Sequence, residues 1–149
     1  MDSDAPRRLA AVLAIVAVPW VVVVSRGEIT VIFAFGLVDP APFHLTTVTD
    51  YLFRHTRGLP RFLLAWPVAS LQYGIAVVAA AAATRGREDV RVTAGLLTFA
   101  GASLLWTAVG FARRPGYAAF PAGTAALWAV VWWYYWPTLR QVFAGTTRG

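Results

Sequence analysis

Four side chains that could support acid–base or metal chemistry lie in one segment of the chain: Asp39, His44, Asp50 and His55. Imidazole and carboxylate groups transfer protons and bind divalent metals, so a site of that kind is the first hypothesis. The two histidines are eleven residues apart, however, and match no short metal-ligand spacing. The sequence also contains no glycine-rich phosphate loop, nucleophile elbow or zinc-protease motif. We therefore predict no catalytic residue, no metal and no cofactor, with an interfacial lipid-modifying or hydrolytic enzyme as the weakest alternative.

The composition restricts the class of protein more strongly than these residues do. Hydrophobic residues make up 58% of the 149 residues and charged residues 13%, against about 45–50% and about 25% in soluble domains. A soluble protein of this size has too much surface to cover with so few charges. The composition therefore predicts an integral membrane protein and excludes a soluble enzyme, a disordered chain and a solvated coiled coil.

The excess of basic residues indicates contact with lipid rather than with nucleic acid. The chain has 13 Lys+Arg against 7 Asp+Glu, a net charge of +6, and no Cys. Every basic residue is an arginine, and the arginines stand between apolar segments. Nucleic-acid binding requires a clustered basic face, which this spacing does not give. Arginines at the ends of membrane segments contact anionic headgroups, so we predict membrane lipids as partners and no nucleic acid.

Stretches without Asp, Glu, Lys or Arg indicate where the chain crosses the membrane. A helix rises about 1.5 Å per residue and must cross a hydrocarbon core of about 30 Å. On this basis we predict four transmembrane helices, at about 9–25, 62–84, 92–112 and 117–137. The first is short and requires its flanking arginines to reach the headgroups. The predicted fold is a single all-α membrane domain over residues 1–149, with an extramembrane cap at 26–61.

The arginines also bear on the orientation of the chain in the cell membrane. Arg7 and Arg8 precede the first predicted span, and Arg26 alone follows it. Because cytoplasmic flanks are enriched in basic residues, this favours a multi-pass protein with both termini in the cytoplasm. The bulky residues at 21–24 offer no small-x-small cleavage site, so we expect the first apolar segment to be retained.

The cap is predicted to contain a short strand or turn and one amphipathic interfacial helix. Residues 29–35 are β-branched and aromatic, which is typical of a strand or an interfacial segment. Thr47 and Asp50 have the spacing of a capping box, so we expect a helix to begin with Thr47 as its N-cap. The Gly58-Leu59-Pro60 sequence ends that helix. A helix of this kind lies in the plane of the membrane.

Charged groups meet the membrane at the edge of this cap. We predict that contacts with a membrane partner or with lipid headgroups come from Asp50, Arg54, Arg57, Arg61 and Trp66. Lipid anchoring and helix capping are the simpler roles for the same side chains.

The spans themselves suggest packing rather than chemistry. Their cores contain no ionisable residue, which argues against a proton relay. Small residues such as Ala76 and Ala80 recur every four positions, a spacing that favours close helix packing or docking of a partner helix. We therefore predict a non-enzymatic accessory or structural subunit that binds a membrane partner or lipid, in a homo- or hetero-oligomer. Gln72 and prolines such as Pro67 and Pro121 keep open a small carrier or channel for a neutral or lipidic solute.

Several short motifs are spread over most of the chain. They are Pro19-Trp20, Phe33-Ala34-x-Gly36-Leu37-Val38, Asp50-Tyr51-Leu52-Phe53-Arg54, Thr56-Arg57-Gly58-Leu59-Pro60, Ala65-Trp66-Pro67, Arg113-Arg114, Pro121-x-Gly123, Val130-Val131-Trp132-Trp133 and Trp136-Pro137. Together they resemble a family of small uncharacterised four-helix membrane proteins from halophilic archaea, whose use of Arg without Lys is also similar. The resemblance implies four helices and a location in the plasma membrane. It implies no activity, cofactor or catalytic residue.

Overall fold

A computed structural model describes residues 4–40, 42–54, 60–87 and 89–146. The helices are α1 (Ala5–Ala14), α2 (Val48–Arg54), α3 (Ala65–Ala83), α4 (Val90–Ala112), α5 (Ala122–Val130) and α6 (Trp136–Thr146). The strands are β1 (Val21–Ser25), β2 (Glu28–Ile32), β3 (Gly36–Pro40), β4 (Phe43–Thr47) and β5 (Tyr117–Phe120). Short 3-10 turns extend α1 through Ile15–Ala17 and precede α3 at Arg61–Leu64.

An antiparallel hairpin of α3 and α4 forms the centre of the molecule. Alanine, which has the highest helix propensity, is the most frequent residue in both sequences, and this favours long helices. The side chain of Asp89 caps α4 by accepting a hydrogen bond from the Arg91 backbone N–H at 3.0 Å. Helix α1 packs on α3, and α5 packs on α4.

Helices α5 and α6 are joined by a wide helical turn at Val131–Tyr135. The Trp136 N–H bonds to the carbonyl of Val131, five residues earlier, instead of four. Pro137 explains the widening, because it has no N–H to donate and its ring crowds the preceding turn. Residues 122–146 therefore form one helical stretch despite the proline.

The five described strands form one antiparallel sheet in the order β4-β3-β2-β1-β5. The turn between β1 and β2 places Arg26 and Gly27 at φ values of 51° and 85°. Positive φ at both central residues gives the turn a twist that matches the two strands. Strand β5 follows α4 and pairs with β1. The sheet therefore contains strands that precede the helical hairpin in the sequence and one that follows it.

Two tryptophans hold the sheet against one end of the bundle. The indole N–H of Trp66 donates to the carbonyl of Phe33 at 2.9 Å, and the Ser70 hydroxyl donates to the carbonyl of Ala34 at 2.9 Å. The Trp20 ring meets the Tyr73 ring edge-on, with centroids 5.2 Å apart. Both indoles are fully buried, so the sheet and the helices share one hydrophobic core.

The prediction of an all-α protein with four transmembrane helices is wrong. The structure has a five-stranded sheet, and two of its described helices are long and apolar enough to cross a membrane. The predicted first span at 9–25 contains a helix that ends before Pro19, followed by strand β1. Valine is branched at Cβ and favours strands, so the run at 21–24 continues as β1. Hydropathy alone cannot distinguish these two structures.

The predicted fourth span at 117–137 fails for a related reason. Its first four residues form β5, and Pro121 separates that strand from α5. The helical stretch then continues past Pro137 to Thr146. The cap is correspondingly larger than the predicted segment 26–61, because β1 and β5 lie outside that segment.

One local prediction in the cap is confirmed. Helix α2 begins at Val48, and the Thr47 hydroxyl oxygen accepts a hydrogen bond from the Asp50 backbone N–H at 3.2 Å. Thr47 is therefore the N-cap. The predicted end of this helix at 58–60 falls largely outside the described residues.

Candidate functional site

The outward faces of α3 and α4 are apolar. Within α3, which is described throughout, the exposed residues are Val68, Leu71, Gly74, Ile75, Val78 and Ala81. Within α4 after Arg91, they are Val92, Thr98, Phe99, Ala102, Leu105, Trp106 and Ala112. The Thr98 hydroxyl donates to the carbonyl of Ala94 in its own helix at 2.8 Å. These surfaces therefore offer water almost no group with which to form a hydrogen bond.

Both helices are apolar over a length that matches a bilayer. Arg61–Ala83 and Val90–Ala112 are each 23 residues long, with mean hydropathies of 1.7 and 1.6. Only 22% and 44% of their most apolar windows are buried inside the protein. The core helix of a soluble protein is mostly buried, so low burial together with high hydropathy is typical of a lipid-facing helix.

The same kind of surface continues on α5 and α6. Three tryptophans project outward from the wide turn and the start of α6: Trp132, Trp133 and Trp136. The rings of Trp132 and Trp136 stack with centroids 5.6 Å apart. Tryptophans are enriched where the hydrocarbon of a bilayer meets the headgroups.

Polar groups in the helices bond toward the interior. The Ser103 hydroxyl donates to the Gln72 side-chain oxygen at 3.2 Å, which links α4 to α3. The Thr124 hydroxyl donates to the carbonyl of Gly101 at 2.7 Å, and the Trp128 indole donates to the carbonyl of Thr98 at 3.1 Å. These bonds join α5 to α4. Gln72 thus has a hydrogen-bond partner on the neighbouring helix.

The residues predicted to contact partners or headgroups are separated in the structure. Asp50 is exposed on the first turn of α2, and Arg61 is exposed just before α3. Trp66 is fully buried, and its ring meets that of Tyr51 with centroids 5.1 Å apart. The side chain of Arg54 and all of Arg57 lie outside the described residues.

Arg61 lies in a cleft of about 300 Å³ between the start of the α3 helix and the end of α4. The cleft is lined by Arg61, Phe62, Trp106, Val109, Gly110, Arg113 and Arg114. A Cβ atom on residue 110 would collide with the ring of Phe62, so Gly110 allows this ring to lie directly on α4. The guanidinium carbon of Arg114 lies 5.3 Å from the centroid of the same ring.

Sequence reasoning selected Arg61 but missed the other cleft residues. Arg113 and Arg114 entered only as a short sequence motif, because linear spacing does not show that the end of α4 meets the start of α3. The available signal was the antiparallel order of two consecutive spans joined by a short loop, which brings the start of the first span beside the end of the second.

A second, apolar groove of about 550 Å³ lies between the sheet and α3. Its lining residues are Ala34, Phe35, Thr47, Val48, Thr49, Pro67, Val68, Ser70 and Leu71. None of them titrates in the physiological range, so the groove suits hydrocarbon rather than catalysis.

Arg8 is a buried cation near the opposite end of the bundle. It is 3% exposed, and its guanidinium donates to the carbonyl of Tyr134 at 3.2 Å and to the Thr138 hydroxyl at 2.6 Å. The guanidinium also lies 5.3 Å from the centroid of the Tyr135 ring. Arg8 therefore joins α1 to the wide turn between α5 and α6. The signal for its burial was its place on the helix face of Ala5 and Val12.

The acidic and imidazole side chains do not form a catalytic cluster in the described part of the chain. His44 on β4 stands opposite Asp39 on β3, whose carboxylate accepts a hydrogen bond from Thr30 at 2.5 Å. His55 lies outside the described residues, and no group of three His, Asp or Glu comes together in the rest. Burial raises the pKa of the Tyr51 phenol above its ordinary value of 10.0, which keeps this group neutral.

Comparison with known proteins gives one match. A protein-family model described as "Domain of unknown function (DUF8050)" matches residues 1–144, which include the sheet and all the helices up to α6. No curated protein and no solved structure matches the chain.

Proposed function

The chain belongs to the DUF8050 family, a domain of unknown function, and we propose that it is a non-enzymatic integral membrane protein. In this proposal the hairpin of α3 and α4 crosses the cell membrane, and the sheet caps the bundle at one membrane surface. The protein serves as an accessory or structural subunit that binds a membrane partner or lipid.

The observation that carries the proposal is the apolar outer surface of the helices. Fully burying one Leu, Phe or Met side chain gains about 1.5–3 kcal/mol. The net stability of a domain is about 5–15 kcal/mol. Large exposed apolar residues occur on α3, α4, α5 and α6, so leaving all of them in water would forgo much of that stability. A hydrocarbon solvent removes this cost.

The arginines support the same placement. Arg61, Arg113 and Arg114 lie at one end of the helical hairpin, and Arg85, Arg87 and Arg91 lie at the other. Each apolar length is thus bounded by cations that can reach phosphate headgroups. We propose that both termini face the cytoplasm.

A non-catalytic role is supported by the distribution of polar groups. The hydroxyl and amide groups within α3 and α4 bond to neighbouring helices, to the cap or to their own backbone, as in the Ser103–Gln72 and Ser70–Ala34 pairs. Such bonds hold helices together and leave no reactive group poised in a cavity. The apolar groove lies where the sheet meets α3, and the arginine cleft lies between the start of the α3 helix and the end of α4; we assign binding to these two places.

The test has two stages on the full chain. Membranes of the expressing cell are first washed with alkaline carbonate, and we expect the protein to stay in the pellet. The protein is then purified from native membranes in mild detergent, and the particle is weighed and its components identified by mass spectrometry. We expect a reproducible stoichiometric partner or a homo-oligomer. Release by carbonate contradicts the membrane assignment, and a lone monomer contradicts the subunit role.

A further inference from the structure

We propose that the cleft formed by Arg61, Arg113 and Arg114 binds a phosphate-bearing anion, and that a membrane supplies this anion as the headgroup of an anionic phospholipid. The inference rests on the proposed membrane function, because it places the cleft where the α3–α4 hairpin meets the membrane surface. It goes further by assigning a ligand class to one site.

The cleft brings together side chains of the same charge. Three arginines line a single cleft of about 300 Å³. All three are exposed at the same end of the helical hairpin. Like charges held together repel each other, and the repulsion is stronger beside a low-dielectric wall than in open water. A bound anion removes that cost.

Packing around the Phe62 ring holds part of the cleft in place. The Phe62 ring lies on Gly110 and meets the Phe111 ring edge-on, with centroids 5.1 Å apart. The Arg114 guanidinium lies against the same Phe62 ring. A cation positioned over an aromatic face loses less freedom when it binds a ligand, because its direction is already restricted.

A phospholipid matches both the arginines and the apolar residues that line the cleft. Guanidinium groups donate paired N–H bonds that fit the oxygens of a phosphate. Trp106 and Val109 lie one to two turns before the end of α4 and line the same cleft, so hydrocarbon can lie beside them while phosphate meets the arginines. Trp106 is 58% exposed, which leaves its ring available for this contact. A phospholipid combines both groups.

A cleft at the opposite end of the hairpin provides a matched control. It has a volume of about 440 Å³ and is lined by Arg85 and Arg87 together with Val78, Ala81, Ala82 and Thr84. It offers arginines and an apolar wall without an aromatic ring. The proposal therefore predicts selective binding at the first cleft, whereas unspecific attraction to a cationic protein would depend on the two clefts equally.

The experiment measures lipid binding to the detergent-purified full chain by native mass spectrometry. The probes are dioleoylphosphatidylglycerol, which is anionic, and dioleoylphosphatidylcholine, which is zwitterionic. We expect one retained phosphatidylglycerol and at least about tenfold weaker binding of phosphatidylcholine. The variant Arg61→Gln/Arg113→Gln/Arg114→Gln should lose about tenfold or more in affinity for phosphatidylglycerol. The control Arg85→Gln/Arg87→Gln should stay within about twofold of the wild type. If the triple variant fails to fold, the three single substitutions are used, each with an expected loss of about threefold or more.

Inorganic phosphate distinguishes the two sources of the anion. We expect 10 mM phosphate, on the order of a typical buffer, to displace little phosphatidylglycerol, because it has no chain to contact Trp106. Complete displacement would contradict the lipid source while leaving a phosphate site. Equal losses in the triple variant and the control, or equal binding of both lipids, would overturn the site itself. Carbonate resistance of each variant is measured in parallel, so that failure of the site is separated from failure of membrane insertion.

Discussion

The inner and outer faces of α3 differ in side-chain size more than in polarity. The buried positions of α3 carry Trp66 and Tyr73 near the sheet and otherwise alanines, namely Ala69, Ala76, Ala80 and Ala83. The exposed positions carry Val68, Leu71, Ile75 and Val78. In a soluble bundle the large apolar residues lie inside and the charges outside. Helix α3 instead approaches its neighbours mostly through small residues, and its large aliphatic residues are exposed.

This difference indicates which force holds the bundle together. Where the solvent is hydrocarbon, apolar burial does not drive helices to associate, so close van der Waals packing and interhelical hydrogen bonds do. Gly123 shows the packing, because a Cβ there would lie 2.7 Å from the Cα of Trp20. Thr124 shows the hydrogen bonding through its bond to the carbonyl of Gly101. Substitutions on the two faces should therefore have unlike effects.

Two tryptophans give the largest expected contrast. Trp66 is fully buried and bonded to the carbonyl of Phe33, whereas Trp132 is 65% exposed. Trp66→Ala should destabilise the fold by about 3–5 kcal/mol, because it opens a cavity and removes a hydrogen bond. Trp132→Ala should cost less than about 1 kcal/mol, since it loses mainly its stacking on Trp136. Denaturant titration of the protein in detergent measures both, and equal losses would remove the contrast between the faces.

Leu71 lies near the middle of Arg61–Ala83 and is 66% exposed. Leu71→Arg should raise the free energy of membrane insertion by about 2.5–3.5 kcal/mol, because the charge meets hydrocarbon. The side chain of Phe43 on strand β4 is also largely exposed, at 76%, but it belongs to the cap. Phe43→Arg should leave insertion unchanged. The carbonate-resistant fraction measures both variants, and full insertion of Leu71→Arg would show that this face does not meet lipid.

Glycine-to-alanine substitutions on the inner and outer faces should have opposite effects on stability. Gly123→Ala should destabilise the protein by about 1–3 kcal/mol, because the new methyl group meets the backbone of Trp20. Nothing lies within 4 Å of a Cβ atom at Gly74, on the outer face of α3. Gly74→Ala should therefore stabilise the protein by about 0.5–1 kcal/mol through its higher helix propensity. Thermal unfolding in detergent compares them, and destabilisation by Gly74→Ala would place an unrecognised contact on that face.

Two threonines give the smallest contrast. Thr124→Val removes a buried bond between helices and should cost about 1 kcal/mol. Thr98→Val removes a hydroxyl that bonds only within its own helix among the described residues, and its effect should be within about 0.5 kcal/mol of zero. The same unfolding measurement is used for both. A larger loss from Thr98→Val would indicate that its hydroxyl has a role outside the bundle.

The sequence was sufficient to predict what depends on local patterns. The positions of α3 and α4 follow from apolar length, and the start of α2 follows from the capping residue Thr47. Strand β1 was not assigned in this way, because apolar length does not reveal its pairing partners, which are β2 across a two-residue turn and β5 almost a hundred residues later. A charge-free stretch measures hydropathy but not the partner that decides between helix and strand.

In the candidate site, too, some features follow from local sequence patterns and others depend on tertiary packing. Arg61 and the idea of headgroup contact came from charge next to an apolar span. The contribution of Arg113 and Arg114 depends on the tertiary packing of Phe62 against Gly110, which linear spacing does not encode. The burial of Trp66 was likewise not evident, since an aromatic residue at the end of a span fits both an interfacial position and a core position.

Single-cysteine labelling tests the central claim, that the outer faces of α3 and α4 meet lipid, most directly. The chain has no native cysteine, so each variant carries one reactive thiol. In proteoliposomes we expect Leu71→Cys and Phe99→Cys to resist a membrane-impermeant maleimide, because a thiol in hydrocarbon does not ionise. Glu28→Cys in the sheet and Arg87→Cys in the loop before α4 lie on opposite sides of the membrane in the proposed placement, and each should react when the maleimide is present on its own side. If Leu71→Cys and Phe99→Cys react as fast as Arg87→Cys, these faces lie in water and the account is wrong.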